Sequence, residues 1–364
     1  MTTTAVPDGY FAIPGDMYRK TGGFIYERTL LETLQALGLD IRHLQLPAGF
    51  ADPTPAEMTQ AIADLVALPA DRPVIVDGLV YGAIDPAGLD QVRAPLIAMI
   101  HHPLGLEAGL PPERAAFLLR NEAQALARAA HVVVPSPHTA QTLIDDFGVP
   151  GDKITIALPG FIRPTGTAQP QSPPLILSVG LLAERKGHDV LLEALAQVAD
   201  LDWCAQIVGG AHDPQVAQSL LVQRDDLGLQ DRVAFIGTLD SDALEARYRA
   251  ATLFALATRY EGYGMVFGEA MTHGLPIVSC RAGAVPDTVP AGTGRLVSVD
   301  AAPEFAAALR EILTQSDTRQ AMAAASGKAG AALPSWQDTA RIMAAVLAQH
   351  GATPLQAGQS RPLG

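Results

Sequence analysis

Short apolar runs alternate with stretches of helical period through most of this 364-residue chain, and the alternation is broken once, by "PGFIRPTGTAQPQSPP". No other feature constrains the fold as much. Runs such as "RPVIVDGL", "APLIAMIHH" and "HVVVP" are apolar at nearly every position, as expected of strands buried on both faces of a parallel sheet. Parallel strands need crossover connections, and the intervening helical segments supply them. Before the break, "FIYERTLLETLQALG" is a helix ending on a glycine stop and "IRHLQL" a strand. "PPERAAFLLRNEAQALARAA" and "SPHTAQTLIDDFG" are helices opened by Pro and Ser. After it the order is strand "LILSVG", helix "DVLLEALAQVA", strand "WCAQIVGG", helix "QVAQSLLVQRDDLG", strand "VAFIG", helix "DALEARYRAA", strand "LFALAT" and, further on, strand "LPIVSC". Hydrophobic residues at 48% and charged ones at 17% fit buried sheets.

The expected fold class is therefore α/β, with two facing, doubly wound, Rossmann-like domains. The first spans 1–163, the Pro-rich linker 164–174 and the second domain 175–334. The Ser-started helix "SWQDTARIMAAVLAQHG", about 335–350, is expected to cross back onto the first domain, and 351–364 to form a flexible tail. In doubly wound sheets ligands lie beyond the carboxyl ends of the strands, which points to the cleft between the two halves.

Several function classes are disfavoured. A net charge of −13 and a pI near 5.0 do not suit a nucleic-acid partner, whose phosphates demand a basic footprint. The start "MTTTAVPDGYFAIPGD" has neither a basic n-region nor an apolar h-region. No run reaches the roughly 18 apolar residues of a membrane span. Cys204 and Cys280 lie in strand-like surroundings and read as buried thiols in a reducing compartment, so a cytoplasmic protein is expected, with peripheral membrane contact left open. No G-x-G-x-x-G follows a strand, which counts against a dinucleotide dehydrogenase.

The chemistry concentrates in "YEGYGMVFGEAMTHGLPIVS", residues 260–279. Glu261 and Glu269 stand eight positions apart, but Gly262 and Gly264 make a continuous helix between them a poor reading. A loop running into a helix near Met265 is better. The amides of Gly264, Met265 and Val266 then point out of a helix N-terminus and form an anion site. Glu269 can accept both hydrogens of a vicinal diol, and Glu261, before the turn, can reach another part of the same phosphorylated, polyhydroxylated ligand. Read otherwise, both are ordinary carboxylates, one at a helix start and one at the surface.

This stretch, preceded by "LFALATRY", resembles the E-x7-E signature of the retaining glycosyltransferases of family 4, glycosyl transferases group 1, which have the GT-B fold. The resemblance implies that Glu269 binds the ribose of a nucleotide sugar and that Glu261 lies near the donor sugar. It extends to "SVGLLAERKGHDVLLEAL", similar to the family's diphosphate-binding segment, with Gly180 at a strand end and Arg185 and Lys186 before a helix. Where many members have an arginine after the strand-end glycine, this chain has Leu181, which shifts the diphosphate onto Lys186 and Arg185. The strand end at Ile236 and Gly237 is similar to the one that meets the nucleobase through backbone atoms.

In the first half, Gly22 and Gly23 before a helix resemble the family's glycine pair facing the donor phosphates. His101 and His102 end a strand where members often have a histidine near the sugar. The strand alternation sends only one of them towards the site, and His102 is preferred as the one further out. Asp77 and Gly78 at another strand end, and Tyr263, are candidates for sugar or acceptor contact.

The implied activity is transfer of a sugar from a nucleotide-diphosphate sugar, UDP-sugar favoured, to a hydroxyl acceptor, with retention. No cofactor beyond this co-substrate and no metal is expected, since no metal-ligand cluster is visible in the spacing. A saccharide or small metabolite is the preferred acceptor. A lipid acceptor of the diacylglycerol type, a nucleotide-sugar epimerase and a non-catalytic sugar-nucleotide sensor are the alternatives.

Overall fold

A computed structural model describes residues 7–107, 109–211 and 213–353. Of these, the residues up to Gly160 together with those from Pro334 onward form one compact unit, and Phe161–Leu333 form the other. The expected tail falls mostly outside the described residues.

The first unit is built on six parallel strands: β1 (Gly9–Pro14), β2 (Ile41–Leu46), β3 (Val74–Asp77), β4 (Leu96–Met99), β5 (His131–Val134) and β6 (Ile154–Ile156). Their order is β2-β1-β3-β4-β5-β6, with Ala12 opposite Val76 and Asp77 opposite Met99. The central strands β3, β4 and β5 are buried at every position, which is why their sequences are unbroken apolar runs. The helix Gly22–Ala36 follows β1. Helix Pro137–Phe147 starts where the Ser136 side chain accepts from the Thr139 amide and stops at left-handed Gly148 (φ 67°). Helix Trp336–Gln349 belongs to this unit and begins in a capping box between Ser335 and Asp338. Trp336 meets the edge of Tyr26, on helix Gly22–Ala36, with ring centroids 5.4 Å apart.

The second unit repeats the plan with β7 (Leu175–Val179), β8 (Cys204–Val208), β9 (Val233–Gly237), β10 (Leu253–Leu256), β11 (Ile277–Cys280) and β12 (Gly294–Val297), in the order β12-β11-β10-β7-β8-β9. Its core includes Trp203, fully buried with its indole N–H donated to the Val198 carbonyl at 2.7 Å. Residues 161–174 carry no helix or strand, yet they are not a loose spacer. Arg163 donates to the Gly330 carbonyl, and the amides of Gln169 and Gln171 donate to the carbonyls of Arg249 and Ala250, all within the second unit.

In each sheet the chain winds outward in one direction and then returns to wind in the other. The reversal falls between β1 and β3 in the first unit and between β7 and β10 in the second. The carboxyl ends flanking such a reversal diverge and leave a crevice, the usual ligand position of doubly wound sheets. Gly22 and Gly23 follow β1 and Asp77 ends β3, the strands that flank the first reversal. Gly180 and Glu261 follow those that flank the second, whereas His101 and His102 follow β4 and Ile236 and Gly237 end the edge strand β9.

Candidate functional site

In the second unit, the loops leaving β7 and β10 are tied together. The Arg259 amide donates to the Arg185 carbonyl at 2.7 Å, and Thr258 Oγ1 lies 3.0 Å from the same oxygen. Arg259 also clamps Asp189 at 2.6 Å and Asp300 at 2.7 Å. The turn holding the cations, Glu184–Lys186, ends on Gly187 with φ 61°. A Cβ there would sit 1.9 Å from the Ala257 carbonyl oxygen, so glycine is required by both conformation and space.

Glu261 lies in the middle of this knot and is only 5% exposed. Lys186 Nζ is 2.6 Å from its Oε1, Arg185 Nη1 is 3.8 Å from Oε2, and Thr258 Oγ1 donates to Oε1 at 3.0 Å. Burial works to raise the Glu261 carboxyl, but the two cations outweigh it and hold it below its ordinary range. Its backbone is fixed too, since the Ala284 amide donates to its carbonyl at 2.8 Å. Resemblance assigned Glu261 to the donor sugar. In the fold its carboxylate is turned to Lys186, a pairing across 75 positions that no local spacing shows.

The loop does run into a helix, Met265–Thr272, with Gly264 as its left-handed N-cap (φ 85°). The leading amides of this helix, including Met265 and Val266, have no partner within it and aim out of its positive end. Glu269 is in its second turn and accepts from the Tyr248 hydroxyl at 2.7 Å. Burial raises its carboxyl and the tyrosine bond partly offsets this. A carboxylate has about four lone-pair sites, so one tyrosine leaves capacity for a diol. Tyr248 itself was not singled out from the sequence. Its signal is an aromatic on the inner face of "DALEARYRAA".

The helix Met265–Thr272 is held in place by close backbone packing. A Cβ on Gly268 would meet the Phe161 ring at 2.2 Å, and one on Gly330 would meet the Met271 carbonyl at 2.2 Å. Gly330 belongs to the helix Ser316–Ala332, which the sequence reading did not single out. Its small residues Ala323, Ser326, Gly327 and Gly330 recur at helical spacing, and Ser326 Oγ donates to the Leu275 carbonyl at 2.7 Å.

The remaining candidates of this unit divide. Gly180 follows β7, its amide bonded to the Val208 carbonyl, and lies against the Lys186 side chain. Leu181 offers its carbonyl to buried His188, 3.2 Å away. Ile236 and Gly237 end β9, with Gly237 at φ 75°. Tyr263 is 7% exposed and packs on Phe161, burial raising its hydroxyl to about 12, so its ring serves the packing of the loop.

In the first unit, Gly22 and Gly23 open helix Gly22–Ala36, with Thr21 as N-cap. The two histidines beyond β4 turn different ways. His102 Nε2 lies 2.7 Å from Glu107 Oε2, whereas His101 Nε2 lies 3.3 Å from Glu27 Oε1. Glu27 is fully buried and Asp77, at the end of β3, nearly so. Asp77 Oδ1 accepts from the Leu79 amide at 2.7 Å, capping the short helix that begins at Gly78. The sequence spacing shows no metal-ligand cluster, yet folding brings one ligand atom each of Glu27, Asp77 and His101 within 4.8 Å of one another. Glu27 was missed because its two companions stand 50 and 74 positions further along the chain.

Two α/β units with carboxylate-and-cation chemistry at a sheet reversal define a class, and comparison with known proteins gives it a family. Residues 164–329 match the family described as glycosyl transferases group 1, and residues 52–161 match glycosyltransferase family 4. The chain belongs to this family. The mannosylfructose-phosphate synthase of Agrobacterium fabrum is 32% identical over 166 residues, 40% of this chain and 37% of that protein. The D-inositol 3-phosphate glycosyltransferase of Rhodococcus opacus is 28% identical over 256 residues, 65% of this chain and 57% of the relative. The chain thus spans about half the length of the curated relatives it matches. Among solved structures, the sucrose-phosphate synthase of Thermosynechococcus elongatus superposes with a TM-score of 0.81 at 23% identity, covering 94% of this chain and 98% of that one. HepE of Anabaena in complex with UDP-glucose superposes with a TM-score of 0.74 at 18% identity, covering 93% and 99%. The fold is that of the GT-B glycosyltransferases. Among the described residues, no helix is long and apolar enough to cross a membrane.

Proposed function

We propose that the protein is a cytoplasmic, retaining glycosyltransferase that moves a sugar from a UDP-sugar to a hydroxyl of a small polyhydroxylated acceptor. The observation that carries the reading is the buried Lys186–Glu261 pair, 2.6 Å apart, on loops tied together at the reversal of the second sheet. Glu269 stands on the helix that starts three residues beyond the pair's loop glycine Gly262. Lys186 and Arg185 meet the donor diphosphate with the leading amides of that helix, and Glu269 holds the ribose hydroxyls. Glu261 keeps the Lys186 ammonium in place. As the acceptor oxygen bonds to the anomeric carbon, the bond to the diphosphate breaks, and the acceptor proton passes to a diphosphate oxygen on the same face. The protein's work is to position the partners and to stabilise charge on the leaving diphosphate, which asks for no bound cofactor. UDP is favoured because HepE is seen with UDP-glucose. A sugar or cyclitol phosphate is favoured as acceptor because relatives are named for mannosylfructose phosphate, sucrose phosphate and inositol 3-phosphate.

The test is calorimetric titration with UDP, GDP and ADP, followed by product analysis with the matching sugar conjugates. The expected result is binding of one nucleoside diphosphate, lost or weakened at least tenfold in Glu269→Ala. No binding by any of the three, or binding indifferent to Glu269→Ala, overturns the reading.

A further inference from the structure

We infer that Tyr248 is a positioning residue for the nucleotide site. It anchors one oxygen of Glu269 and leaves the other for the ribose hydroxyls, and the preference for a ribonucleoside diphosphate over a deoxy one depends on that anchor. The inference rests on the proposed binding of ribose by Glu269 and concerns what makes that carboxylate selective. Tyr248 lies on helix Ser241–Ala250 and Glu269 on helix Met265–Thr272, 21 positions apart. The Tyr248 hydroxyl is 2.7 Å from Glu269 Oε2, and the residue is buried. Burial and the neighbouring carboxylate push ionisation of the phenol well above its ordinary range, so its single hydrogen is kept and is spent on Oε2. Among the described residues no other side chain bonds the Glu269 carboxylate, which leaves Oε1 for a ligand.

The Tyr248 ring is itself fixed. It stacks on His273, with centroids 5.0 Å and planes 17° apart, and on Phe254 at 6.2 Å and 23°. His273 Nδ1 lies 2.8 Å from the Glu269 carbonyl oxygen, an atom that can only accept, so the imidazole donates to it. Two rings stacked on each other thus hold Glu269 at both ends, the tyrosine at the carboxylate and the histidine at the backbone. A carboxylate free to turn on its side chain gives up that freedom when a ligand binds, and affinity falls accordingly. Anchored through Oε2, the Glu269 carboxylate is set before the ligand arrives. The gain reaches only a ligand that brings hydroxyls to Oε1. Loss of the anchor therefore acts on hydroxyl recognition and leaves the contacts of the diphosphate and the base as they are.

The experiment is calorimetric titration with UDP and with its dideoxy analogue, which lacks both ribose hydroxyls. The matched GDP or ADP pair replaces them if the wild-type protein prefers that base. The wild-type protein is expected to bind UDP at least about tenfold tighter than the analogue. Tyr248→Phe keeps the ring stack and removes the hydroxyl. It is expected to weaken UDP about fivefold while leaving the analogue unchanged, so that the preference falls to about twofold. Equal weakening of both ligands marks a general loosening of the unit and overturns the inference, as does an unchanged preference. Should that variant fail to fold, His273→Ala, at a half-buried position, removes one ring of the stack and is expected to lower the preference in the same direction. A preference equal to that of the wild type in His273→Ala overturns the inference as well. Wild-type binding of UDP without preference over the analogue overturns it and leaves donor binding standing. Failure of the proposed function is recognised separately, as absence of nucleoside diphosphate binding by the wild-type protein.

Discussion

Replacing Lys186 by methionine keeps most of the side-chain volume and removes the charge 2.6 Å from Glu261. Both side chains are nearly buried, 10% and 7% exposed, so solvent screens the pair little. Removing one member of a buried ion pair costs about 3–5 kcal/mol, because the other is left as an uncompensated charge. Here Thr258 Oγ1 at 3.0 Å and Arg185 at 3.8 Å remain, which brings the expected loss to roughly 2–3 kcal/mol at neutral pH. The pH dependence identifies the cause. In the wild-type protein the Glu261 carboxyl is held below its ordinary range, so its contribution is present above the unfolded-state value and is lost as pH falls through the folded one. Without Lys186, burial dominates and the folded value rises, so the variant regains relative stability as the medium becomes acidic and Glu261 protonates. The chain's two tryptophans, Trp203 and Trp336, lie one in each unit, so in a Trp336→Phe background Trp203 fluorescence follows the second unit by itself. Urea unfolding at neutral pH and near the carboxylate pKa gives both differences by linear extrapolation. A deficit that is the same at both pH values refutes the argument that Glu261 is the charge left unpaired. The same substitution is expected to weaken nucleoside diphosphate binding at least tenfold.

Glu269→Gln retains an acceptor for the Tyr248 hydroxyl, whereas Glu269→Ala leaves that buried hydroxyl unpaired. Thermal unfolding is expected to show the alanine variant about 1–3 kcal/mol less stable and the glutamine variant close to wild type, with donor KM raised in both. Gly187→Ala puts a Cβ 1.9 Å from the Ala257 carbonyl in a left-handed conformation and is expected to cost more than about 2 kcal/mol by urea titration, strain and clash together. Glu122 is buried, its Oε2 accepts from the Leu104 amide at 2.9 Å, and burial raises its carboxyl to about 8. It therefore favours the folded state most at acid pH and loses that contribution as pH rises towards 8, so Glu122→Gln is expected to flatten the stability profile of the first unit over this range, followed by Trp336 fluorescence. Ser335→Ala removes the cap of helix Trp336–Gln349 and is expected to cost about 1 kcal/mol in the same assay.

What could be read in the sequence follows from how far apart the cooperating residues are. Strands β3, β4, β5, β10 and β11 were legible because each is a short run buried at every position, whereas β1, β6 and β12 were not read. Helix starts at Ser136 and Ser335 were legible because capping is settled within four residues. The loop and helix around Gly264 were legible for the same reason, as a glycine turn meeting an apolar helix start inside one decapeptide. Helix Ser316–Ala332 was not legible as a partner of that site. Its contact face is made of alanine, serine and glycine, which carry no hydrophobic stripe and work by letting backbones approach.

The partners of the site residues were hidden for a stricter reason. Lys186 and Glu261 are both visible in the sequence as charges near glycine turns, but their pairing depends on β7 and β10 being neighbours. That adjacency exists only because the second sheet reverses its winding after β9. The same holds in the first unit, where Glu27 reaches His101 only because β3 and β4 lie on the far side of β1 from β2. At the reversal of the second sheet a buried carboxylate holds an ammonium, and at that of the first a buried carboxyl lies 3.3 Å from an imidazole. A motif can therefore locate such a residue, but whether its carboxylate meets a ligand or holds another side chain in place is decided by the strand order.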